Sequence, residues 1–244
     1  MTTPSSSGFA LLSAGAAKGL IDALAPRWNG PAWQARFGAV GAMQEALRGG
    51  APCDVLIVTD TMAAALEASG ELRPGSRRAL GSVSTGVAVA TGVAAPNIVD
   101  GTALKHSLLD ASALYFPDGE RSTAGAHFMA VLRRLGIHER VADRLRMFAS
   151  GAVAMTALAT SGDAKAIGCT QVTEIHYTAG VALVGRLPDG FGLETVYSAG
   201  IARRAADQAA ARRFINLLTG AASLSLRQAG GFEPVAANFR QEKT

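Results

Sequence analysis

The stretch "FGAVGAMQEALRGGAPCDVLIVTD", residues 37–60, reads as a glycine-punctuated turn, a helix, a second turn and an apolar strand. A turn that opens a helix leaves backbone N–H groups without partners, and the helix dipole adds to them, so the place suits an anion. Here that turn carries Ala39 and Val40 in place of hydroxyl side chains.

The same alternation extends on both sides. "FALLSA" (9–14) precedes a helix expected over about 16–27, "AWQARFG" (32–38) one over 40–48, and "DVLIVTD" (54–60) one over 61–70. Strand, helix and strand at this spacing give the rhythm of a parallel sheet with helices on both faces. At "GSVSTGVAVATG" (81–92) the pattern changes to a Gly/Ser/Thr-rich strand that suits a crossover between lobes. A second series follows: a helix around 101–110, the strand "SALYF" (112–116), helices over 124–135 and 139–145, and the strand "RMFA" (146–149). It continues with a helix in "SGAVAMTALATSG", the buried strand "AIGCT" and the strand "GVALVGRLP" (180–188). "LETVYSAGIA" (193–202) reads as the return crossover and "DQAAARRFINLLTG" (207–220) as an amphipathic helix. The expected fold is α/β with two lobes, each a mainly parallel sheet flanked by helices. The first lobe is discontinuous, 1–84 plus 196–244, and the second spans 85–195. Such lobes enclose a cleft, a favoured place for ligands, and close on it by hinge motion.

Bulk properties narrow the function. The chain has 244 residues, 49% of them apolar, with a mean hydropathy of +0.22, as expected of a compact globular protein. No apolar run reaches the ~18 residues of a membrane span. The net charge is +4, but the Lys and Arg residues are scattered and aromatics make up only 6%, which argues against nucleic-acid binding and leaves a slight preference for small anions. Cys53 and Cys169 form no metal pattern and lie beside apolar runs, so they read as buried free thiols in preference to a disulfide. "MTTPSSSGFALLSAG" has no basic n-region and no continuous apolar h-region, so the chain as it begins is expected in the cytoplasm, and in the periplasm if an export signal has been trimmed away.

Four Gly- or hydroxyl-rich turns each follow a strand and precede a helix: "SAGAAKG" (13–19), "GAVG" (38–41), "ERSTAG" (120–125) and "SGAVA" (150–154). In an open α/β sheet such turns gather outside the carboxyl ends of the strands, where ligands bind. Each also has a plainer reading as a helix cap. The third is the richest, since Arg121 offers a planar fork for a carboxylate while Ser122 and Thr123 supply hydroxyls and N–H groups at a helix start. His127 lies one helical turn beyond Thr123, as a cleft group or as a satisfied core or surface histidine. In "TQVTEIHY", Gln171 and Glu174 stand a helical turn apart and could both look into the cleft, with helix capping as the alternative. Neither G-x-x-x-x-G-K-[ST] nor G-x-G-x-x-G occurs in a suitable context, the four histidines lack ligand spacing, and there is no G-x-S-x-G elbow. Nucleotide, metal and other cofactors and a serine nucleophile are therefore not expected.

The succession "FALLSAGAAKGLIDALAPRW", "FGAVGAMQEALRGGAPCDVLIVTD", "SVSTGVAVATGVAAPNI", "STAGAHFMAVLRRLGI" and "SGAVAMTALATSGDAKAIGCTQVTEI" resembles the periplasmic molybdate-binding proteins and their wider group within the type II solute-binding fold, over about residues 9–235. Its most recognisable pieces are Gly50, Ala51, Asp54 and Val55, and Ser122 or Thr123 with Gly125 and Phe128. Molybdate binders place a serine in the first turn and another in the second, where this chain has Gly15 and Val40, with Ser13 two residues away. Two missing charge-assisted bonds, each worth ~1.5–3 kcal/mol, point away from molybdate. The chain is also similar to the subgroup that includes aconitate isomerase, although the Arg usual after "GVAV" is Ala90 here.

The resemblance implies a clamp for a small organic anion, a carboxylate in preference to molybdate. The expected ligand-binding residues are Ser13, Gly15, Ala39, Val40, Thr59, Ser84, Arg121, Ser122, Thr123 and Gln171. An ABC transporter would be the partner if the chain is exported. The alternative is an isomerase of an unsaturated di- or tricarboxylate, with Glu174, His127 or Tyr177 as base. A ligand sensor or an interaction protein, without chemistry, is a third possibility.

Overall fold

The computed structural model describes residues 8–235, so residues 1–7 and 236–244 of the expected first lobe lie outside it. The strands are β1 (Phe9–Ala14), β2 (Trp33–Gly38), β3 (Val55–Thr59), β4 (Arg78–Ala90), β5 (Leu114–Pro117), β6 (Leu145–Phe148), β7 (Ile167–Gln171), β8 (Val181–Arg186) and β9 (Glu194–Ile201). The helices are α1 (Lys18–Leu24), α2 (Val40–Arg48), α3 (Asp60–Ala68), α4 (Gly101–Asp110), α5 (Thr123–Arg134), α6 (Gly151–Ala159), α7 (Val172–Tyr177), α8 (Gln208–Thr219) and α9 (Leu224–Ala229).

The strands pair in the order β2-β1-β3-β9-β4-β7-β5-β6, with β8 on β4. Pairs within the strand-helix series are parallel: β1 with β2 and β3, β5 with β6 and β7. Every antiparallel pair involves β4 or β9, the two crossovers. The first half of β4 pairs with β9 through Ser84, and from Thr85 onward β4 pairs with β7, then with β8. One strand thus serves both halves of the sheet.

Burial follows the same division. One apolar core gathers residues of 9–83, such as Phe9, Leu56 and Val83, with Tyr197, Phe214 and Phe232 from the end of the chain. Phe9, Trp28, Trp33 and Phe214 form an aromatic cluster in which the Trp33 and Phe214 centroids lie 5.1 Å apart. The other cores draw only on residues between 87 and 191, with Val87, Phe116 and Phe128 in one and Met155, Leu158 and Ile175 in another. Each fully buried Leu, Ile or Phe contributes ~1.5–3 kcal/mol.

Local chemistry sets the element ends. Side-chain oxygens of Asp100, Ser122, Ser150 and Asp207 accept from backbone N–H groups in the first turns of α4, α5, α6 and α8. Buried Asp54 accepts from the N–H groups of Ala10, Ala206 and Asp207, at 2.7–3.2 Å, and so ties β1 and the approach to α8 to the start of β3. Three expectations shift. The helix expected over 16–27 is α1 between single 3₁₀ turns at Gly15–Ala17 and Ala25–Arg27, the second containing Pro26, which cannot continue the helical hydrogen bonding. The crossover strand starts at Arg78 and not at 81, passing a register shift between Ala79 and Gly81. The unassigned segment after 220 contains α9. No helix among the described residues is long and apolar enough to cross a membrane.

Candidate functional site

The four strand-to-helix turns meet at one chamber between the halves of the sheet. Residues 14–16 and 38–40 approach from one side, and residues 122–123 and 150–151 from the other. Gln171, Glu174 and Tyr197 complete the wall. The chamber encloses about 20 Å³, room for one water. A second opening of about 390 Å³ lies beside it, shares Thr123 with it and reaches Thr59.

The two turns on the first side offer backbone alone. Neither Ala14 nor Ala39 caps its helix with a side chain, so the N–H groups that start the Gly15–Ala17 turn and α2 depend on neighbours. That of Gly41 donates to the carbonyl of Arg121 at 3.2 Å, a direct bond between the halves. On the other side, Ser122 and Ser150 accept from Gly125 N and Val153 N, both at 3.4 Å, which leaves each hydroxyl proton free to donate.

Glu174 is the one ionisable carboxyl in the wall, and it is 5% exposed. Its Oε2 accepts from Thr170 Oγ1 at 2.6 Å. A Cβ built on Gly15 would fall on Oε1, and one on Gly151 would fall on Oε2 and Thr170 Oγ1, so two glycines make room for this carboxyl group. Burial pushes its pKa up, while Thr170 and the backbone N–H groups of Ala152, Gln171 and Gly151 pull it back. No cation contributes. Gln171 is 2% exposed; its Nε2 donates to Tyr197 Oη at 3.2 Å, and its Oε1 has no partner among the described residues.

Of the residues expected to bind ligand, Gly15, Ala39, Val40, Ser122, Thr123 and Gln171 line the chamber, and Glu174 joins them. The others stand elsewhere. Ser13 is buried in β1, with its Oγ donating to the Ala14 carbonyl at 3.0 Å. Thr59 caps α3 and faces the larger opening. Ser84 is buried in β4, outside the chamber. Arg121 was expected to be the principal clamp, yet its side chain is 58% exposed and pairs with Glu45 at 3.4 Å, because α5 starts at Thr123 and its first turn carries Ser122 and Thr123 inward. His127 is held by the Phe191 carbonyl at 2.7 Å, away from the chamber. Tyr177 donates to the Gly15 carbonyl at 3.1 Å and braces the first turn from behind. Sequence reasoning missed Ser150, Gly151 and Tyr197, although the turn holding the first two was singled out; nothing in "LETVYSAGIA" marks which side of the crossover faces the cleft.

A larger hollow of about 540 Å³, walled in part by Arg48, Cys53, Glu71 and Arg203, opens before the start of β3 and shares no residue with the chamber. Among the described residues, no three His, Cys, Asp or Glu side chains converge as a metal would need.

Comparison with known proteins agrees with this architecture. The model of the bacterial extracellular solute-binding protein family matches residues 10–233. An aconitate isomerase of Pseudomonas sp is 27% identical over 187 residues, 76% of this chain and 69% of that one. The periplasmic molybdate-binding protein of Azotobacter vinelandii superposes with a TM-score of 0.78 at 20% identity, covering 93% of this chain and all of the other. The L-phospholactate-bound structure of PEB3, a Campylobacter jejuni protein, superposes with a TM-score of 0.67 at 12% identity over 93% of this chain and all of that one. The fold is the two-lobed type II solute-binding fold, with β4 and β9 as its crossovers. The chain belongs to the bacterial extracellular solute-binding protein family.

Proposed function

We propose that this protein closes its lobes, 1–84 plus 196–244 and 85–195, on a small organic anion bearing a carboxylate. One observation supports the reading: four helix-start turns, two from each lobe, line a single chamber that is walled in part by Val40 and has no Arg or Lys among its described lining residues. A chamber of about 20 Å³ admits no carboxylate as it stands, so binding requires the lobes to part along β4 and β9 and close again. Gly15 and Val40 supply no hydroxyls for a bare tetrahedral oxyanion, whereas Val40 offers apolar wall to a carbon chain. An ABC transporter is the natural acceptor of such a ligand.

The second reading, isomerisation of an unsaturated carboxylate, is favoured by Glu174. A buried carboxyl with a raised pKa at the chamber is placed to take a proton from one carbon and return it to another as the double bond moves, with N–H groups stabilising the enolate-like charge. The aconitate isomerase relative lends it support. Thermal shifts with trans-aconitate, succinate, malate, sulfate and molybdate, followed by proton spectra in deuterated water, separate the readings. Stabilisation by carboxylates alone marks a binder, and deuterium exchange or a new isomer marks an enzyme. A molybdate shift equal to the carboxylate shifts overturns the ligand class.

A further inference from the structure

The chamber lining carries both donors and an open acceptor. The turns present N–H groups and the hydroxyls of Ser122 and Ser150, all suited to negative oxygen. The same lining holds an acceptor, Gln171 Oε1, buried and without a partner among the described residues, near the Glu174 carboxyl that packs against Gly15 and Gly151. The Glu174 carboxyl already accepts from Thr170 Oγ1 and is bonded by the backbone N–H groups of Gly151, Ala152 and Gln171, so the acceptor left open among the described residues is Gln171 Oε1. A buried acceptor left unpaired is costly, and a group that pairs it recovers that cost. A fully ionised acid with no hydroxyl has no proton to give this oxygen.

Resting on the carboxylate-binding reading above, we propose that the chamber selects an acid that brings its own O–H, a 2-hydroxycarboxylate above all, over the same acid without it. The carboxylate of such a ligand faces the helix starts, and the hydroxyl on the adjacent carbon donates to Gln171 Oε1. The remaining carbon chain extends past Thr123 toward the opening of about 390 Å³.

The experiment is titration calorimetry on matched pairs, malate against succinate and citrate against tricarballylate, at one pH and ionic strength. The hydroxylated member of each pair is expected to bind about ten- to a hundredfold more tightly, the range for satisfying one buried polar group. Gln171→Met keeps the length of the side chain and removes the acceptor, and should bring each ratio within about threefold while circular dichroism shows the fold intact. Equal binding within each pair, or tighter binding of the deoxy member, overturns the proposal and leaves the carboxylate reading standing. Failure of all four acids to bind overturns the carboxylate reading itself. The wild-type ratios decide the matter even if the variant does not fold.

Discussion

The space above Gly15 is occupied by Glu174. A side chain at 15 would meet the Oε1 of this carboxyl group, which is itself held through Oε2 by Thr170 at 2.6 Å. The position where a molybdate binder is expected to carry a hydroxyl thus faces a carboxyl group of the protein's own, and residues 15 and 174 are linked by packing.

That linkage is testable. Gly15→Ser should lower stability by about 1–3 kcal/mol through overpacking, since Glu174 is buried and held by Thr170. Combining it with Glu174→Ala should recover most of the loss, so urea denaturation of the two single variants and the pair should be strongly non-additive. The pair should also gain measurable sulfate or molybdate binding by calorimetry. Simple additivity would show that the carboxyl group moves aside freely.

Glu174 should also write a signature on stability against pH. Its pKa is raised in the folded protein, mainly by burial, so folding retains a proton that the unfolded chain releases. Stability is then highest below the ordinary carboxylate pKa and falls as pH rises toward the folded value, staying level above it. Glu174→Gln removes this slope. Relative to the native protein, the variant should gain stability as the pH is taken from 4 toward neutrality, measured by denaturant titration at each pH.

Asp54 is expected to be structural. Its carboxylate accepts three backbone N–H bonds, from Ala10, Ala206 and Asp207, in a buried setting. Asp54→Ala leaves those donors unpaired and should cost about 2–4 kcal/mol, read as a lower urea midpoint with an unchanged slope.

Arg121→Ala should change carboxylate affinity by less than about threefold, because an exposed pair such as Arg121 and Glu45 is worth ~0–1 kcal/mol. Calorimetry with malate checks this. A loss of tenfold or more would mean that the guanidinium turns inward when ligand binds.

Both thiols should resist alkylation in the folded protein. Burial pushes Cys53 up to about 12 and Cys169 higher still, so thiolate is scarce at neutral pH. Iodoacetamide labelling followed by mass spectrometry should show little modification at pH 7.5 and full modification in guanidinium.

Much of this was legible from short-range pattern. Apolar runs such as "FALLSA" and "DVLIVTD" became β1 and β3 because their side chains are buried on both faces, and Val40 is the first residue of α2, as the opening stretch suggested. The convergence of the four turns follows from topology, since all of them follow strands of one sheet. Side-chain direction was not legible. Arg121 is rich in chemistry but lies before its helix and points outward, while His127 is drawn to the Phe191 carbonyl, a partner 64 residues away. Tyr197 enters through the register of β9 against β3 and β4, which no local pattern encodes.

The division of the first core has a consequence for how the chain is made. Phe9 packs against Phe214, with centroids 5.6 Å apart, and Tyr197 and Phe232 lie in the same cluster, so this lobe is unfinished until the last helices have left the ribosome. The second lobe draws its cores from residues 87–191 and can assemble earlier. During synthesis at ~5–20 residues per second, β3 waits on the order of ten seconds for its partner β9, its outer edge open to the wrong partner. The lobe that is written first is the one completed last, and it is there that a nascent chain would need a chaperone's shelter.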